Sequence, residues 1–333
     1  MRDEREYSLK QHNTFGIDAK CNRYLEYADV EEARRVAAIL REAHEPYLVI
    51  GGGSNLLLTR DFEGMVVRSA MQGMTVDGER VRCGSGMEWD AVVEQFIAHG
   101  LYGAENLSLI PGDVGACAVQ NIGAYGVEAK DIIESVSAVE IATGELVQLA
   151  GETCGYGYRQ SRFKQEWCGR FLITEVTFRL SREFRPHLDY GNIRAELERQ
   201  GISQPTARQL RDVIIAIREA KLPDWHVLGN AGSFFMNPVV SRAKYEELAA
   251  QYPQMPHYYV DEEHEKIPAG WMIEQCGRKG RSLGRAGVYE KQALILVNRG
   301  GATGAEIVAL CEAIRNDVQQ KFGIDIRPEV NII

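Results

Sequence analysis

The sequence predicts an α+β protein with two or three domains. A chain of 333 residues is too long for a single small core. Helical and strand patterns are mixed over roughly the first 200 residues, and the remainder places amphipathic helices around a further strand pattern. The hydrophobic content of 45% and the charged content of 26% are ordinary for a globular protein.

Helical and strand patterns follow one another in the N-terminal part. Apolar residues recur at helical spacing in residues 29–43 and 88–99, and Gly100 follows the second predicted helix. Short apolar runs and alternating patterns predict strands elsewhere. The predicted strands are residues 47–50, residues 56–59, a hairpin over 135–150 with its turn at 142–144, and a long strand over 170–182.

The C-terminal part follows a predicted linker at residues 199–206. A single strand is predicted over residues 286–298, and an extended tail from Asp325 onward. Helices are predicted over residues 207–221, 241–251 and 304–322, the last one ended by Gly323.

The charge balance and the termini limit the classes of function. The 38 basic and 47 acidic side chains give a formal net charge of −9, which argues against a nucleic-acid coat. Residues 1–13 are charged and lack a signal peptide pattern, and no apolar run reaches the roughly 20 residues that span a bilayer. Seven scattered cysteines without a C-x-x-C pair suit a reducing compartment. We therefore expect a cytoplasmic protein without a metal site and without membrane or nucleic-acid partners.

Two glycine-rich segments have the composition of phosphate-binding loops. Residues 51–55 (GGGSN) follow a predicted strand but precede another extended run, so a Rossmann site is not expected. A nest of backbone N–H groups remains open. Residues 111–126 (PGDVGACAVQNIGAYG) are rich in small and apolar residues, which predicts a buried cofactor loop; the alternative is a compact surface loop.

A serine lies in the segment GNAGSFFMNP, residues 229–238. Ser233 is preceded by small, flexible residues and followed by Phe234 and Phe235, which can anchor the segment in a core. This pattern predicts a hydroxyl that is fixed in space and shielded from water. The alternative is a buried turn in which the serine only satisfies a backbone group.

These segments, taken in order with Tyr158-Arg159, Lys221 and Glu329, resemble the UDP-N-acetylenolpyruvoylglucosamine reductase (MurB) family. The likeness runs from NTFGID at residues 13–18 to PEV at residues 328–330, and QNIGAYG, GNAGSFF and AGWMIEQCG are specific in combination. Tyr190 matches the extra tyrosine loop of the type I enzymes.

The resemblance implies a fold, an activity and a set of ligands. Two N-terminal subdomains, residues 1–70 and 71–205, would have the FAD-binding PCMH (vanillyl-alcohol-oxidase-like) fold, and an α/β domain over 206–333 would bind a UDP-sugar, its tail returning to the flavin site. The activity would be that of a UDP-N-acetylmuramate dehydrogenase, an oxidoreductase in peptidoglycan synthesis and hence in cell-wall biogenesis, cell shape and cell division. NADPH would reduce non-covalent FAD, and the reduced flavin would then reduce UDP-N-acetylglucosamine enolpyruvate. Separately from the resemblance, a monomer is expected because the sequence has no sustained apolar heptad pattern.

The resemblance also implies roles for individual residues. Arg159 would hold the substrate carboxylate, Ser233 would donate a proton, and Glu329, its pKa raised by a site of low dielectric constant, would share one with the enolate. The alternatives are a surface ion pair for Arg159 and an exposed carboxylate near the C-terminus for Glu329. The three would meet at the edge of the flavin ring. The cofactor-binding residues would be Gly51, Gly52, Gly53, Ser54, Asn55, Pro111, Gly112, Gly115, Ala116, Gln120, Asn121, Gly123, Ala124 and Gly126. The substrate-binding residues would be Tyr125, Tyr158, Tyr190, Lys221, Asn237 and Gln275.

Four positions depart from the commoner family pattern: Gly52, the pair Ala116-Cys117, and Met236, where lysine is frequent. Two alternatives follow from the same residues. An FAD oxidase of the same cofactor fold would use oxygen, and Cys117 is the one residue of the glycine loops that could bind flavin covalently. A non-catalytic sugar-nucleotide-binding protein is the second alternative, which intact Arg159, Ser233 and Glu329 argue against.

Overall fold

The computed structural model describes all 333 residues, in eight α-helices and twenty β-strands. The helices are α1 (Val30–Glu42), α2 (Trp89–Ala98), α3 (Val114–Gln120), α4 (Ile193–Arg199), α5 (Ala207–Lys221), α6 (Arg242–Gln251), α7 (Ala269–Gln275) and α8 (Gly304–Phe322). The strands are β1 (Arg2–Ser8), β2 (Lys20–Tyr27), β3 (Tyr47–Ile50), β4 (Leu56–Leu57), β5 (Phe62–Ser69), β6 (Met74–Asp77), β7 (Arg80–Gly84), β8 (Gly123–Ala124), β9 (Val127–Glu128), β10 (Ile133–Glu140), β11 (Leu146–Ala150), β12 (Phe171–Arg179), β13 (Asn230–Ser233), β14 (Val239–Ser241), β15 (Tyr258–Tyr259), β16 (His264–Lys266), β17 (Ser282–Leu283), β18 (Ala286–Val288), β19 (Ile295–Asn298) and β20 (Asn331–Ile332). No helix is both long enough and apolar enough to cross a membrane.

The chain forms two compact units, each made of several chain segments. Unit 1 consists of residues 1–7, 21–52 and 63–220. Unit 2 consists of residues 8–20, 53–62 and 221–333.

Unit 1 contains two main sheets. The first has the order β1-β2-β5-β3, in which β3 and β5 run parallel. The second is a five-stranded antiparallel sheet of order β11-β10-β12-β7-β6. Strands β10 and β12 are buried along most of their length because α1 and α3 both pack on this sheet. A two-stranded hairpin, β8-β9, completes the unit.

The helices of unit 1 pack with the faces that the sequence periodicity predicts. Helix α1 begins at Asp29, whose side chain accepts a hydrogen bond from the N–H of Glu32. Its buried residues Ala33, Val36, Ala37 and Leu40 share one core with Leu25, Met65 and Leu172. Helix α2 buries Trp89 against Phe178 of β12. Helix α5 buries Leu210 and Val213 against α4.

Unit 2 is built around the antiparallel sheet β13-β19-β18-β17 and the helix α8. Helix α8 begins with a capping box between Thr303 and Glu306 and ends at Gly323, whose φ is 66°. Gly304 has no room for a side chain, since a Cβ atom there would lie 1.9 Å from the carbonyl oxygen of Leu58. A second sheet has the order β14-β16-β15, and β20 runs parallel to β4.

The predicted α+β class and all five predicted helices are confirmed, as are the strands at 47–50 and 170–182 and the hairpin over 135–150. Two predictions are wrong. The single strand over 286–298 is two strands, β18 and β19, because the chain turns after Val288 and pairs with itself. Residues 111–126 are not one loop, because they contain α3 and the first strand of the β8-β9 hairpin.

Candidate active site

The two predicted glycine loops meet within unit 1 at Gly51 and Gly52. A Cβ atom on Gly51 would lie 2.8 Å from the Cβ of Ala116, and one on Gly52 would lie 3.3 Å from the Cα of Gly112. Gly112 itself has a φ of 128°, a conformation that favours glycine. The two loops therefore approach each other closely because Gly51 and Gly52 have no side chains, which leaves room for the backbone of Gly112 and the side chains of Asp113 and Ala116. The N–H groups of Gly52 and Gly112 donate no hydrogen bond within the protein.

Backbone N–H groups without an acceptor in the protein are suitable donors for a phosphate. The segment that follows is held rigidly: the N–H of Gly115 donates to the carbonyl of Ser85 over 2.9 Å, and the Ser85 hydroxyl donates to the carbonyl of Ile173 over 2.6 Å. The residues thus fit the pyrophosphate of a dinucleotide such as FAD in their backbone donors and in the close approach that glycine allows.

Arg159 lies beside the β8-β9 hairpin of unit 1. Its Nη2 donates to the carbonyl of Gly123 over 2.8 Å, and a Cβ atom on Gly123 would lie 3.4 Å from its Nη1. The hairpin turns through Tyr125 and Gly126, both with positive φ, as two-residue hairpin loops require. Arg159 stands in a second tight turn, closed by mutual hydrogen bonds of 3.0 Å between Gly157 and Gln160.

Two predicted cofactor residues use their side chains within the protein. The Asn121 amide donates to the Glu128 carboxylate and the Gly157 carbonyl, and its oxygen accepts from the N–H of Lys130. The Gln120 side chain accepts from Nζ of Lys164 over 3.0 Å. The backbone N–H of Asn121 is also occupied, since it donates to the carbonyl of Cys117 at the end of α3. The predicted cofactor contacts of the glycine segments remain predictions.

Tyr125 and Tyr190, two of the tyrosines predicted to bind substrate, lie close together in unit 1. A Cβ atom on Gly126 would lie 3.5 Å from the Cβ of Tyr190, and one on Gly191 would lie 3.6 Å from the Tyr125 ring. Asn106 holds both segments, since its amide donates to the carbonyls of Tyr125 and His187 over 2.9 and 3.0 Å. Tyr190 itself is half exposed, and Tyr158 is also exposed, with the Arg159 guanidinium 5.8 Å from its ring centre.

Arg218, on α5, is a charged residue of this region that the sequence did not single out. Its guanidinium lies beside Tyr125 and Asp90 and near enough to Arg159 for the two cations to repel each other. Its Nε is buried without a hydrogen-bond partner. Burial lowers the pKa of Arg218, while Tyr125 and Asp90 oppose that shift. The only signal in the sequence was its position three residues before Lys221 on the predicted helix.

In unit 2, residues 12–15 connect Gly53, in the first glycine loop, to the segment that contains Ser233. A Cβ atom on Gly53, whose φ is 67°, would lie 2.0 Å from the carbonyl oxygen of His12. The Thr14 hydroxyl donates to the carbonyl of Asn230 over 2.6 Å, and the Thr14 N–H donates to the carbonyl of Gly53 over 3.2 Å. Thr14 thereby holds the two segments together, a role that sequence reasoning missed.

Ser233 and Glu329 come together within unit 2. The N–H of Glu329 donates to the carbonyl of Phe234 over 2.8 Å, directly after Ser233. On the other side, the Asn55 amide donates to the carbonyl of Glu329 over 3.3 Å. The C-terminal tail therefore lies between the serine strand and the residues after the glycine turn. This pairing places a hydroxyl and a carboxyl on neighbouring backbone segments.

The prediction that Ser233 is shielded from water is wrong for the protein alone. Phe234 and Phe235 are buried at 0% and 1% exposure, and their rings pack edge to face. Ser233 itself is exposed. The aromatic pair anchors the segment as expected, but it leaves the hydroxyl at the surface of the unit, where a ligand can reach it.

The other predicted substrate residues of unit 2 are distributed around α7 and the end of α5. The Asn237 side-chain oxygen accepts a hydrogen bond of 2.9 Å from the N–H of Ala269, at the start of α7. Gln275 ends α7, and its carbonyl accepts from Nζ of Lys321. Lys221 is exposed and is the last residue of α5, as predicted. Their contacts with a substrate remain predictions.

Cys117 is unsuited to covalent flavin attachment. It is 2% exposed and packs in the main core of unit 1. Burial raises the pKa of the thiol well above its ordinary value, and the thiolate is the reactive form. This argues against the covalent oxidase. A shallow polar cleft lined by Arg80, Arg82 and Glu134 on the five-stranded sheet contains none of the predicted site residues.

Unit 1 thus combines a glycine nest, the backbone N–H groups of Gly52 and Gly112, with Arg159 and Arg218 beside Tyr125. A family model described as an FAD binding domain matches residues 22–150. A second, described as the C-terminal domain of UDP-N-acetylenolpyruvoylglucosamine reductase, matches residues 223–333.

Curated relatives extend this match over the whole chain. A UDP-N-acetylenolpyruvoylglucosamine reductase of Bacteroides fragilis is 54% identical over 336 residues, covering 99% of this chain and all of the relative. One of Pseudomonas aeruginosa is 48% identical over 330 residues, covering 98% and 97%. The chain belongs to the UDP-N-acetylenolpyruvoylglucosamine reductase family.

A solved structure agrees in fold. The crystal structure of the reductase from Thermus caldophilus superposes with a TM-score of 0.71 at 24% identity, covering 100% of this chain and 99% of the other. The predicted architecture of an FAD-binding part followed by a reductase C-terminal domain is confirmed.

Proposed function

We propose that this chain is an FAD-dependent UDP-N-acetylmuramate dehydrogenase. It reduces UDP-N-acetylglucosamine enolpyruvate to UDP-N-acetylmuramate with NADPH, in peptidoglycan precursor synthesis. The observation that carries this proposal is the family membership over essentially the full length of the chain. The proposed catalytic residues Arg159, Ser233 and Glu329 are all present in the sequence.

The glycine segments of unit 1 hold the cofactor without covalent attachment. Gly52 and Gly112 offer their N–H groups to the pyrophosphate, since those groups have no acceptor within the protein. Gly123 and Ala124 offer close backbone approach beside Arg159. FAD held there would supply hydride chemistry, with NADPH as the source of the hydride and the terminal methylene of the enolpyruvyl group as its acceptor.

Arg159 stabilises the charge that develops on the substrate. Addition of hydride to the methylene carbon leaves the electron pair on the neighbouring carbon and its carboxylate, as an enolate. A guanidinium binds a carboxylate through two parallel hydrogen bonds and stays charged throughout. The Tyr158-Arg159 turn fixes that cation, because its backbone is closed by two hydrogen bonds and its Nη2 is tied to Gly123. Arg218 adds a second positive charge nearby.

Ser233 donates a proton to the carbon that bears the electron pair, which completes the lactyl group. An alcohol is a weak acid, but an enolate is a strong base, and correct positioning offsets much of the mismatch. Glu329 holds a proton that it shares with the enolate oxygen. The backbone hydrogen bond between Glu329 and Phe234 supports this pairing of roles, because it ties the two segments together.

The nucleotide part of the substrate requires anion-binding groups. Lys221 supplies an exposed cation for the diphosphate. Tyr125, Tyr158 and Tyr190 supply rings and hydroxyls in unit 1, and Asn237 and Gln275 supply side-chain amides in unit 2. Met236 offers no charge here, so Lys221 carries more of the diphosphate binding than it would beside a second lysine.

An anaerobic two-stage absorbance experiment tests this function. NADPH added to the yellow holoenzyme is expected to bleach the flavin band, and the enolpyruvyl substrate is then expected to restore it in stoichiometric amount. Oxygen serves as the control oxidant for the second stage. Recolouring by oxygen but not by the enolpyruvyl substrate would favour an oxidase, and failure of NADPH to bleach the band would contradict the reductase.

We further propose that the enzyme works as a cytoplasmic monomer. Its substrate and NADPH are both small charged molecules of the cytoplasm. Light scattering of the holoenzyme at micromolar concentration is expected to give a mass near 37.3 kDa. A mass of twice that value would contradict the monomer.

A further inference from the structure

Next to the glycine nest lies a chain of buried polar side chains that the proposed mechanism does not use. Arg68, on β5, donates through Nη2 to the Asp113 carboxylate over 3.2 Å. Its Nη1 lies 3.4 Å from the Glu26 carboxylate, which also accepts from the Tyr24 hydroxyl over 2.8 Å. Arg68 and Asp113 are mostly buried, with side-chain exposures of 24% and 10%. The guanidinium Nε is buried without a hydrogen-bond partner.

The Asp113 carboxylate lies against Gly51 and Gly52 of the first glycine loop. A Cβ atom on Gly52 would lie 3.2 Å from its Oδ1, and one on Gly51 would lie 3.7 Å from its Oδ2. Asp113 follows Gly112, whose N–H is one of the two that have no acceptor in the protein. A full negative charge at this distance would repel a phosphate bound to the nest.

The surroundings leave Arg68 as the group that balances this charge. The charged side chains that act on Asp113 are Arg68, which favours the carboxylate form, and Glu88, which disfavours it. Burial raises the pKa of Asp113, and Arg68 opposes that shift. Glu26, on the far side of Arg68, orients the guanidinium because it accepts from Nη1 while held by Tyr24.

We propose that Arg68 is a positioning residue of the flavin phosphate site. It pairs with Asp113 and thereby cancels the carboxylate charge beside the Gly52 and Gly112 N–H groups. The pair orders the turn for the cofactor pyrophosphate without contacting the reacting atoms. This inference rests on the proposed function in one respect, that the nest binds FAD.

The test measures FAD affinity of the apoprotein by titration, following the change in flavin fluorescence. Arg68→Met is expected to weaken FAD binding by about tenfold or more, because it leaves Asp113 unbalanced near the phosphates. Asp113→Asn is isosteric and is expected to bind FAD at least as tightly as the wild type. The double variant is expected to bind within about threefold of the wild type, because neither charge remains. Arg80→Met, in an exposed ion pair with Glu134, is the matched control.

Each result decides between this role and its rivals. A double variant as weak as Arg68→Met would show that Arg68 acts on FAD directly or through the fold, and would overturn the proposal. Weak binding by Asp113→Asn would show that the carboxylate is itself a ligand, with the same consequence, and this variant decides even if Arg68→Met does not fold. A wild-type apoprotein that binds no FAD would instead refute the proposed function, on which the inference depends.

Discussion

Tyr125 and Arg159 hold left-handed backbone conformations, with φ of 49° and 55°. Residues other than glycine carry about 1–2 kcal/mol of strain in this region, and such residues cluster at functional sites. Each lies in a tight turn. Arg159 donates a hydrogen bond to Gly123, and Tyr125 lies beside Arg218. The strain is thus placed where the side chains are expected to bind anionic groups, because the turns fix their direction.

Gly53 allows a residue-scale test of why the glycine turn needs glycine. Gly53→Ala is expected to destabilise the protein by about 3 kcal/mol or more, since the added Cβ would clash with the His12 carbonyl oxygen, 2.0 Å away. The control is Gly16→Ala, which has a similar φ of 65° but no atom within 4 Å of the added Cβ. That control is expected to lose only about 1–2 kcal/mol. Thermal unfolding measures both variants. An equal decrease of the unfolding midpoint in Gly53→Ala and Gly16→Ala would show that the close contact of Gly53 with His12 does not matter.

Arg218 offers a second prediction at the scale of single residues. Arg218→Met is expected to lower kcat/KM for the enolpyruvyl substrate by about 100-fold, because it removes one of two cations near the developing charge. Arg208→Met, on the same helix in an exposed ion pair with Glu94, is expected to leave kcat/KM unchanged. Steady-state kinetics under saturating NADPH measure both. An unchanged kcat/KM in Arg218→Met would show that Arg218 does not contribute to catalysis.

Helices α2 and α5 are joined by a buried ion pair. Arg211, whose side chain is 5% exposed, donates from Nη1 and Nη2 to the two Asp90 oxygens over 2.6 and 2.9 Å. The Asp90 carboxylate also accepts from the N–H of Leu109, in the segment before the second glycine loop. The pair thus connects α5, which carries Arg218 and ends at Lys221, to α2, which packs on the five-stranded sheet.

Removal of one partner tests this element-scale connection. Arg211→Met is expected to destabilise the protein by about 3 kcal/mol, because it leaves the mostly buried Asp90 carboxylate without its ion-pair partner. The Asp90→Asn/Arg211→Met double variant is expected to recover part of that loss. Unfolding midpoints in urea measure both, and a double variant no more stable than the single one would contradict the ion-pair explanation.

The same pair gives a pH dependence. Burial alone would raise the pKa of Asp90, but the hydrogen bonds from Arg211 and Leu109 outweigh it, and the net pKa is lowered. A carboxyl with a lowered folded-state pKa contributes stability above its unfolded pKa and loses it as pH falls toward the folded value. The free energy of unfolding of the wild type is therefore expected to lose the contribution of Asp90 below roughly pH 4. In Arg211→Met this contribution is already absent, so its unfolding free energy is expected to fall less over the same pH range. Urea unfolding of both proteins as a function of pH measures this, and an identical pH dependence of the unfolding free energy would contradict the role of the ion pair.

At the scale of the whole molecule, the sequence predicted most of the elements that have long amphipathic patterns. Helices α1, α5 and α8 were predictable because their apolar residues repeat over several turns and their ends carry capping residues. Helix α3 was not, because its seven residues lie in a glycine-rich run whose composition suggests a loop. The β18-β19 turn was missed because the run from Ala286 to Asn298 has no strong turn signal.

The candidate site was predicted in part. Ser233, Glu329 and the two glycine loops were singled out through motifs. The structure brings Ser233 close to Glu329 in unit 2 and the two loops together in unit 1, while their functional roles stay predictions. Arg218, Thr14 and Arg68 were not found, since each acts through contacts with residues distant in the sequence. The division at residues 70 and 205 stays a prediction beside the two compact units.

The central claim is that Ser233 donates the proton to the substrate while the hydride passes from the flavin. Anaerobic stopped-flow measurement of Ser233→Ala tests it most directly, because it separates the two half-reactions. Bleaching by NADPH is expected at the wild-type rate, and recolouring by the enolpyruvyl substrate is expected to slow by about 10²–10⁴-fold. Recolouring at the wild-type rate, or equal slowing of both steps, would contradict the claim.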